Sequence, residues 1–428
     1  MKEIKEIQRF ALPLIANQYF NLVMNQLILY LAVNRSLENL AGITTISSLL
    51  YALGGILGTV ALAFNIEGGQ RIGKSETRGF LQLLKSSLLL NSLVGLVFAG
   101  ATLIFGSLFL RGMYSFSGQL LHLTHLYLVI QSPYIFLTLM LFLSSNLIKI
   151  ENKTSLIMVS SVVSMGFELL LNLLLVRMFQ MGIIGAGIAS ISSLFVSVAL
   201  QFFFVRQKIK AALCEKATAL KQLIQKSIPL GGQELLEGVI FTLIFDALMA
   251  REGLEILAIY NLCLQLLNLV KMPTYMYENA ITVFVSKAYG EKNERKMHHV
   301  FRVSVLSSIA FYLVFSLLIF INGNRFALLF SSKLSRHFSE YLLIALICSL
   351  FFVTYESLKG MLQAINQEKY VLYRTFLINV ILFTVLLLSC IFITTNFTFL
   401  YVLYGISLLI LSVIFYRKYR KIMAERTI

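Results

Sequence analysis

The chain of 428 residues is 58% hydrophobic and only 13% charged, whereas a soluble domain is about 45–50% apolar and about 25% charged. This composition excludes a disordered chain, a secreted disulfide scaffold and a cytosolic enzyme, and it indicates a polytopic helical membrane protein. The net charge of +16 comes from basic residues in short gaps between apolar runs, so we expect contact with membrane lipids and no nucleic acid.

Twelve apolar runs are long enough to span a bilayer, which needs about 20 mostly apolar residues. Six lie on each side of the longest polar stretch of the chain, residues 206–226. In chain order the predicted spans are 10–33, 42–66, 80–108, 118–148, 155–177, 184–206, 227–250, 255–288, 299–322, 338–365, 370–394 and 397–416.

The basic residues predict the orientation of these spans. If the gaps alternate between the two sides, one side holds 27 Lys and Arg residues and the other holds 7. Because cytoplasmic loops carry the surplus of Lys and Arg, this split places both termini in the cytoplasm of a multi-pass protein of the plasma, or inner, membrane.

The two halves resemble each other in sequence. PLIANQ at 13–18 resembles PLGGQ at 229–233, and the Glu38 and Glu255 segments repeat at nearly the same offset. Six spans per copy give both copies one orientation, so we expect two six-helix bundles related by a pseudo-two-fold axis along the membrane normal, with the substrate path between them. The predicted parts are an N-terminal lobe (1–206), a basic linker (207–226), a C-terminal lobe (227–417) and a cytoplasmic tail (418–428).

Ionisable residues within spans are costly and therefore mark candidate functional sites. The first half has one, Glu168, with Asn172 one turn further on the same face. The second half holds the others, which are Glu234, Glu237, Asp246, Lys271, Glu278, Glu356 and Lys359.

Glu237, Glu278 and Glu356 all lie near mid-membrane, at a depth of roughly 16 Å for Glu237, and could share one cavity. Lys359 is placed to pair with Glu356 at i,i+3, and Lys271 lies two turns from Glu278. Structural salt bridges remain the alternative for these groups. Asp246 could instead be interfacial, Glu234 could only line the cytoplasmic half, and Glu168 is open between the two roles.

Aromatic residues in the second half could line a cavity that accepts apolar cations, and Tyr277 and Tyr355 are candidates. No nucleotide-binding loop or hydrolase motif is present, so we expect neither an enzyme nor a cofactor. The expected ligand is a small molecule, and the expected state is a monomer.

Several motifs make the chain similar to MATE-type transporters. Each half opens with a proline run, at Leu12-Pro13 and Ile228-Pro229, and the eighth span has a Met272-Pro273 step. The sixth span opens with GIIGAGIA at 182–189, the most family-like string in the chain, and the resemblance covers nearly the whole chain. The resemblance implies two lobes that move around a central cleft in alternating access.

The family's residues carry over unevenly. The first-span acid of many members falls on Ile28, with only Asn25 and Gln26 nearby. A seventh-span acid of one subgroup lies eight residues after its proline, which is Glu237 here. By resemblance, Glu237 is the expected coupling site, for H⁺ or for Na⁺.

Three functions remain open from the sequence. The favoured one is secondary active efflux of organic cations or amphipathic compounds by antiport with H⁺ or Na⁺. The second is a flippase for a lipid-linked sugar or other anionic lipid, which Lys271 and Lys359 would serve as cationic partners. The third is a non-transporting membrane scaffold or receptor.

Overall fold

A computed structural model describes residues 2–33, 37–330, 335–392 and 396–426, and within these ranges the chain is helical with no strand. Eleven of the described helical stretches are long and apolar enough to cross a membrane. The all-helical membrane fold predicted from the sequence is confirmed. The described helices account for the twelve predicted spans.

The first six spans consist of helices α1 to α8. Two spans are built from pairs of helices, α2 with α3 and α5 with α6, and the fifth span ends in a π-helix. The bounds are α1 Lys2–Val33, α2 Leu37–Leu57, α3 Thr59–Gly73, α4 Thr77–Tyr114, α5 Gly118–Ile130, α6 Tyr134–Ile150, α7 Ser155–Leu171 with the π-helix Asn172–Met178, and α8 Gly182–Phe204.

The remaining helices follow a short basic helix, α9 (Arg206–Leu213). The seventh span contains a second π-helix between two α-helices. The bounds are α10 Leu220–Glu234, the π-helix Leu235–Ile240, α11 Phe241–Arg251, α12 Leu254–Gly290, α13 Glu294–Phe330, α14 Ser335–Ala364, α15 Glu368–Phe392 and α16 Phe397–Arg426.

The first helix differs from the other spans in its polarity. Its transmembrane part carries five amide side chains, which lower its hydropathy, and it is not among the eleven apolar stretches. These amides are Asn17, Gln18, Asn21, Asn25 and Gln26. Asn17, Asn21 and Asn25 are four residues apart and therefore lie on one face of the helix.

The chain divides into two compact units. The first unit is residues 12–231, and the second unit is residues 1–11 with 232–428. The boundaries fall inside helices α1 and α10. The segment predicted as a linker is mostly helical, because α9 covers its first part and its last residues form the start of α10.

The start of α10 is held to the first unit by a buried ion pair. The Lys226 ammonium lies 2.5 Å from the Glu67 carboxylate of α3, and both side chains are nearly enclosed. The Gln222 amide donates to the other Glu67 oxygen at 2.7 Å, and Arg71 donates to Gln222 at 2.8 Å. These bonds explain why residues 220–231 group with the first unit.

The N-terminal turns of α1 are held to the second unit in a comparable way. Phe10 packs edge-on against Phe284 of α12, with ring centroids 5.3 Å apart. Gln8 donates to the Ser307 hydroxyl at 2.8 Å and accepts a hydrogen bond from the Tyr277 hydroxyl. Because these contacts fix the first turns of α1, before Leu12, the helix is shared between the two units.

Close packing of helices within the first unit depends on two glycines. A Cβ on Gly58, between α2 and α3, would lie 2.5 Å from the Phe142 ring of α6. A Cβ on Gly95 of α4 would lie 2.6 Å from the Phe136 Cα. Small residues are what allow helix backbones to approach closely in a membrane, so these positions set the spacing of α6 from its neighbours.

The Glu67–Lys226 pair gives a stability prediction. Lys226→Met leaves the Glu67 carboxylate buried without a counter-charge, and breaking a buried pair costs about 3–5 kcal/mol. We expect a clearly lower melting temperature of the detergent-solubilised protein, measured by the loss of its size-exclusion peak after heating.

Two further variants control this experiment. The double variant Glu67→Leu/Lys226→Met removes both charges and should recover most of the lost stability, because replacement of a whole buried pair is often neutral. Lys153→Gln removes an exposed pair with Glu151 and should change stability by less than about 1 kcal/mol. A single Lys226→Met variant as stable as the parent would contradict the expectation.

Candidate functional site

The seventh span changes its helical pitch where it carries Glu237. Residues Leu235–Ile240 form a π-helix between α10 and α11. A π-helix bonds i to i+5 instead of i to i+4, and such turns occur frequently at functional sites. Glu237 therefore lies on a locally widened turn, with 26% of its side chain exposed.

Lys359 of α14 bridges two glutamates of the second unit. Its ammonium lies 3.0 Å from Glu237 Oε2 and 2.7 Å from Glu356 Oε1. The Lys359 and Glu356 side chains are only 8% and 4% exposed, so this interaction is shielded from solvent. The i,i+3 pair expected from the sequence is formed, and with both carboxylates ionised the three groups carry one net negative charge.

Neutral polar groups occupy the other oxygen of Glu237. Its Oε1 accepts hydrogen bonds from the Tyr355 hydroxyl and from the Gln233 amide. The Gln233 nitrogen also lies 3.1 Å from the Thr375 hydroxyl of α15. Glu237 is thus held by groups from the seventh and tenth spans, and Thr375 of the eleventh span supports one of them, Gln233. We call Glu237, Glu356, Lys359, Tyr355 and Gln233 the glutamate–lysine cluster.

Two buried oxygens of the cluster have no hydrogen-bond partner in the described part of the chain, Gln233 Oε1 and Glu356 Oε2, and only the second belongs to a carboxylate. A buried polar atom without a partner is costly, and a bound proton would lower the cost by removing the charge. Glu356 is therefore the member of the cluster best placed to take up a proton.

A second lysine lies near the cluster in an aromatic environment. The Lys271 ammonium of α12 lies 4.7 Å from the centroid of the Phe352 ring and 5.6 Å from that of Tyr404. Cation–π contacts of this kind attract an ammonium to the ring face. Across the described residues no carboxylate lies within ion-pairing distance of Lys271, although Glu356 is close enough to attract it electrostatically.

Glu278 packs directly against α14 beside the cluster. A Cβ on Gly360 would lie 2.7 Å from Glu278 Oε1, so only glycine leaves room for this carboxyl group. The same oxygen accepts a hydrogen bond from Thr282 at 2.9 Å. The structure thus places all three of the mid-membrane glutamates, Glu237, Glu278 and Glu356, beside one stretch of α14.

Other candidates from the second half lie at the edge of this cluster or away from it. Glu234 is exposed one turn before Glu237 and interacts electrostatically with Lys359. Asp246 lies beside Tyr260, nine residues beyond Glu237, or about 13 Å along the helix. Tyr277 is fully buried and donates to Gln8, so it does not line a cavity as expected; the hydrogen bond and the surrounding helices enclose it.

Glu168 lies in a separate polar group in the first unit. It hydrogen-bonds Ser193 of α8 and lies near the hydroxyls of Tyr127 and Tyr134. Asn172 starts the π-helix of this span and donates to the Glu168 backbone carbonyl at 3.0 Å rather than to its carboxylate. Gln26 is exposed on α1.

The residues of the site that the sequence does not predict are uncharged. Gln233 and Thr375 support Glu237, Ser193 supports Glu168, and Phe352 and Tyr404 surround Lys271. Gln233 could have been found, since it ends the PLGGQ segment that repeats in both halves. The others carry no charge and no motif, so nothing in the sequence distinguishes them from packing residues.

No group of three or more His, Cys, Asp or Glu side chains suited to a metal ion occurs among the described residues. The oxygens of Glu237 are bonded by an ammonium, a hydroxyl and an amide, all of which are donors. A Na⁺ ion takes several oxygen ligands at once, whereas both oxygens of Glu237 already accept hydrogen bonds in this arrangement. The cluster as it stands suits an ammonium better than a metal cation.

The fold is similar to solved transporter structures. An outward-facing multidrug resistance MATE family transporter of the MOP superfamily matches with a TM-score of 0.89 and 16% identity, over 99% of this chain and 96% of that one. MATE in the bent conformation matches with a TM-score of 0.87 and 15% identity, over 99% and 96%.

A third structure is a MOP superfamily transporter from Pyrococcus furiosus Vc1 (DSM3638), described as having a binding pocket of reverse polarity that suggests a different function. It matches with a TM-score of 0.88 and 15% identity, over 99% of this chain and 97% of that one. A search of curated proteins found no match to the chain.

The sequence profile of the MatE family matches the chain twice, at residues 13–174 and 229–388. The starts of the two matches are 216 residues apart, which agrees with the repeat of the two proline runs. The matched segments cover most of the chain, and the fold agrees with a multi-pass membrane transporter. The chain belongs to the MatE family.

Proposed function

We propose that the protein is a secondary active transporter that exports organic cations or other amphipathic compounds in exchange for protons, by alternating access. The observation that carries this proposal is the glutamate–lysine cluster, in which two glutamates share one buried ammonium. The buried ammonium between these carboxylates supports a cationic substrate, because the same carboxylates could pair with a cation from outside the chain. A charged group is rarely kept within a membrane span unless it serves transport or relay.

Glu237 is the acid that a substrate cation reaches. It is the most open member of the cluster, and Tyr275 presents an exposed ring next to Phe352, with centroids 5.4 Å apart. Aromatic rings beside a carboxylate suit a large apolar cation, because the rings supply cation–π attraction and the carboxylate supplies the charge. The substrate cation and Lys359 then compete for the same carboxylate.

Coupling to protons follows from the free oxygen of Glu356. A proton on Oε2 makes this side chain neutral and ends its attraction for Lys359, which leaves the ammonium to Glu237. Glu237 is then neutralised and no longer binds a substrate cation. When the proton leaves, Glu356 draws Lys359 back and Glu237 regains its charge, so that protonation and substrate binding exclude each other.

Na⁺ is the less favoured coupling ion in this proposal. Hard metal cations take several oxygen ligands at once. Here the hydrogen-bond donors around Glu237 leave few of its lone pairs free, whereas protonation of Glu356 needs only Oε2, the carboxylate oxygen without a partner among the described residues. Transport driven by a pH gradient alone therefore distinguishes H⁺ coupling from Na⁺ coupling.

Glu356→Gln tests the coupling step. The amide mimics the protonated acid without being able to release a proton, so Lys359 should stay with Glu237 and a pH gradient should no longer drive ethidium accumulation. If the parent protein exchanges one ethidium for one proton, a gradient of one pH unit across a proteoliposome supports about a tenfold concentration ratio of ethidium. With Glu356→Gln we expect the ratio of internal to external ethidium to stay near one. The ratio is measured from the fluorescence of ethidium bound to nucleic acid trapped inside the vesicles.

The exposed Glu425→Gln variant is the matched control and should keep the parent ratio. Glu237→Gln should lose ethidium transport with or without a gradient, because it removes the carboxylate that binds the cation. Full pH-driven accumulation by Glu356→Gln would rule out Glu356 as the proton site. If the parent protein accumulates ethidium in response to an imposed Na⁺ gradient but not in response to a pH gradient, proton coupling is ruled out.

A flippase for an anionic lipid is the second candidate function, and Lys271 is the observation that favours it. Its buried ammonium has aromatic contacts but no paired carboxylate in the described structure, so it could bind an anionic head group. The Pyrococcus furiosus transporter, with its pocket of reverse polarity, shows that this fold accommodates pockets of different charge. Lys271 therefore distinguishes the two functions.

Lys271→Ala has opposite consequences for the two functions. For a cation exporter, removal of a positive charge near Glu356 relieves repulsion of the substrate. The KM for ethidium should then fall about fivefold, which corresponds to roughly 1 kcal/mol. For a flippase, the same variant should abolish the movement of a fluorescent phosphatidylglycerol from one leaflet of the proteoliposome membrane to the other. Dithionite quenching of the fluorophore in the outer leaflet measures this movement.

Lys153→Ala, at an exposed lysine, is the control and should change neither activity. Lipid movement catalysed by the parent protein and lost in Lys271→Ala would decide for the flippase and against the exporter. A KM for ethidium that rises in Lys271→Ala would contradict the repulsion argument.

A further inference from the structure

A groove in the second unit lies outside the glutamate–lysine cluster and has the features of a lipid site. It is formed by α13, α14 and α16 and has a volume of about 760 Å³. This lies within the range of about 300–1,000 Å³ typical of ligand pockets. The lining is apolar along most of its length and ends at Arg417 and Arg420.

The walls of the groove are fixed in place by contacts between the three helices. The hydroxyls of Thr354 and Ser412 lie 3.1 Å apart and join α14 to α16 at its floor. The Tyr419 hydroxyl lies 2.9 Å from His298 Nδ1, and the Tyr419 ring packs against Phe301 with centroids 5.5 Å apart, which joins α16 to α13. The groove is thus a built concavity rather than a gap between loosely packed helices.

The groove combines an apolar stem with a cationic end. Leu409 and Val413 are exposed along α16, and Leu409 lies eight residues, or about 12 Å, from Arg417. Both arginines are exposed, and neither forms an ion pair within the described ranges. The neighbouring Lys421 is 3.8 Å from Glu425, so that acid is directed away from the two arginines.

The charge around the arginines favours an anionic head group. The last turns of α16 carry Arg417, Lys418, Arg420 and Lys421. The first turns of α13 add Arg295 and Arg302 beside Glu294, whereas Lys296 there is paired with Glu291 at 3.0 Å. The Lys418 ammonium is directed to the Tyr370 ring, 5.1 Å from its centroid, so it is not directed at the groove. Arginine presents a planar fork of donors that matches phosphate oxygens.

We propose that this groove binds one anionic glycerophospholipid, with an acyl chain along α16 between α13 and α14 and the phosphate on Arg417 and Arg420. The apolar lining excludes a free phosphate ion as the main ligand, because a phosphate would leave the length of the groove unfilled. The charge at the open end selects an anionic lipid over a zwitterionic one. This site is independent of the proposed transport function.

The absence of tryptophan from the sequence allows a direct test. Leu409→Trp places a single fluorophore in the groove, and the protein is reconstituted in vesicles of phosphatidylcholine with brominated phosphatidylglycerol or brominated phosphatidylcholine. Bromine quenches the tryptophan only in contact. We expect brominated phosphatidylglycerol to quench with a relative binding constant about 25-fold above that of brominated phosphatidylcholine, since each of the two arginines contributes about fivefold.

The matched control is Leu93→Trp on α4, which is 62% exposed and lies eight residues from Lys85, as Leu409 lies eight from Arg417. It should show no preference between the two lipids. Adding Arg417→Gln and Arg420→Gln to Leu409→Trp should lower the preference to about one. Val305→Trp, on the opposite wall, repeats the test if the first variant does not fold.

Each remaining outcome overturns the proposal. Equal quenching of Leu409→Trp by both lipids, or a preference that survives loss of both arginines, shows that the groove has no anionic-lipid site. Protection of Leu409→Trp from both brominated lipids shows that protein, such as a second copy of the chain, covers it.

Discussion

The placement of one ammonium group, that of Lys359, determines the arrangement of the second unit's interior. A lysine inside a membrane span is costly unless its charge is compensated. Here Glu237 and Glu356 compensate it at 3.0 and 2.7 Å. To bring these groups together the seventh span widens into a π-helix, and Gly360 leaves space for Glu278 on the adjoining face of α14. The bridging lysine therefore joins the seventh span to the tenth.

The same rule explains the boundaries of the two units. A buried charge at the start of α10, Lys226, is compensated by Glu67 of α3, which holds residues 220–231 to the first unit although the same span continues into the second. The turns of α1 that precede Leu12 are held to the second unit by Phe10 and Gln8. A polar or charged contact in an apolar surrounding thus decides where each unit begins.

The sequence predicts the spans well because the bilayer demands long apolar runs. Each predicted span overlaps described helices, and eleven of the described stretches are apolar enough to cross a membrane, with α1 as the exception. It also identifies the ionisable residues that are costly within a span, Glu237, Glu356 and Lys359, and the i,i+3 pair follows from helical geometry.

The sequence does not predict which helices adjoin each other. The contact of Lys359 with Glu237 joins residues 122 positions apart, and the aromatic surroundings of Lys271 come from Phe352 and Tyr404 on two other helices. Nor does it predict the π-helices, since no single residue type marks them, and Tyr277 was misplaced because its burial depends on Gln8 near the N-terminus.

The two π-helices, at Asn172–Met178 and Leu235–Ile240, have a consequence for how these spans tolerate changes in length. A deleted residue in an ordinary transmembrane α-helix rotates everything beyond it by about 100° and turns its buried face toward lipid. A π turn already contains an additional residue, so a deletion within it restores the α-helical pitch and leaves the flanking segments in their original orientation. In an evolving lineage, these two short segments are therefore where a span can lose a residue while both of its ends keep their packing.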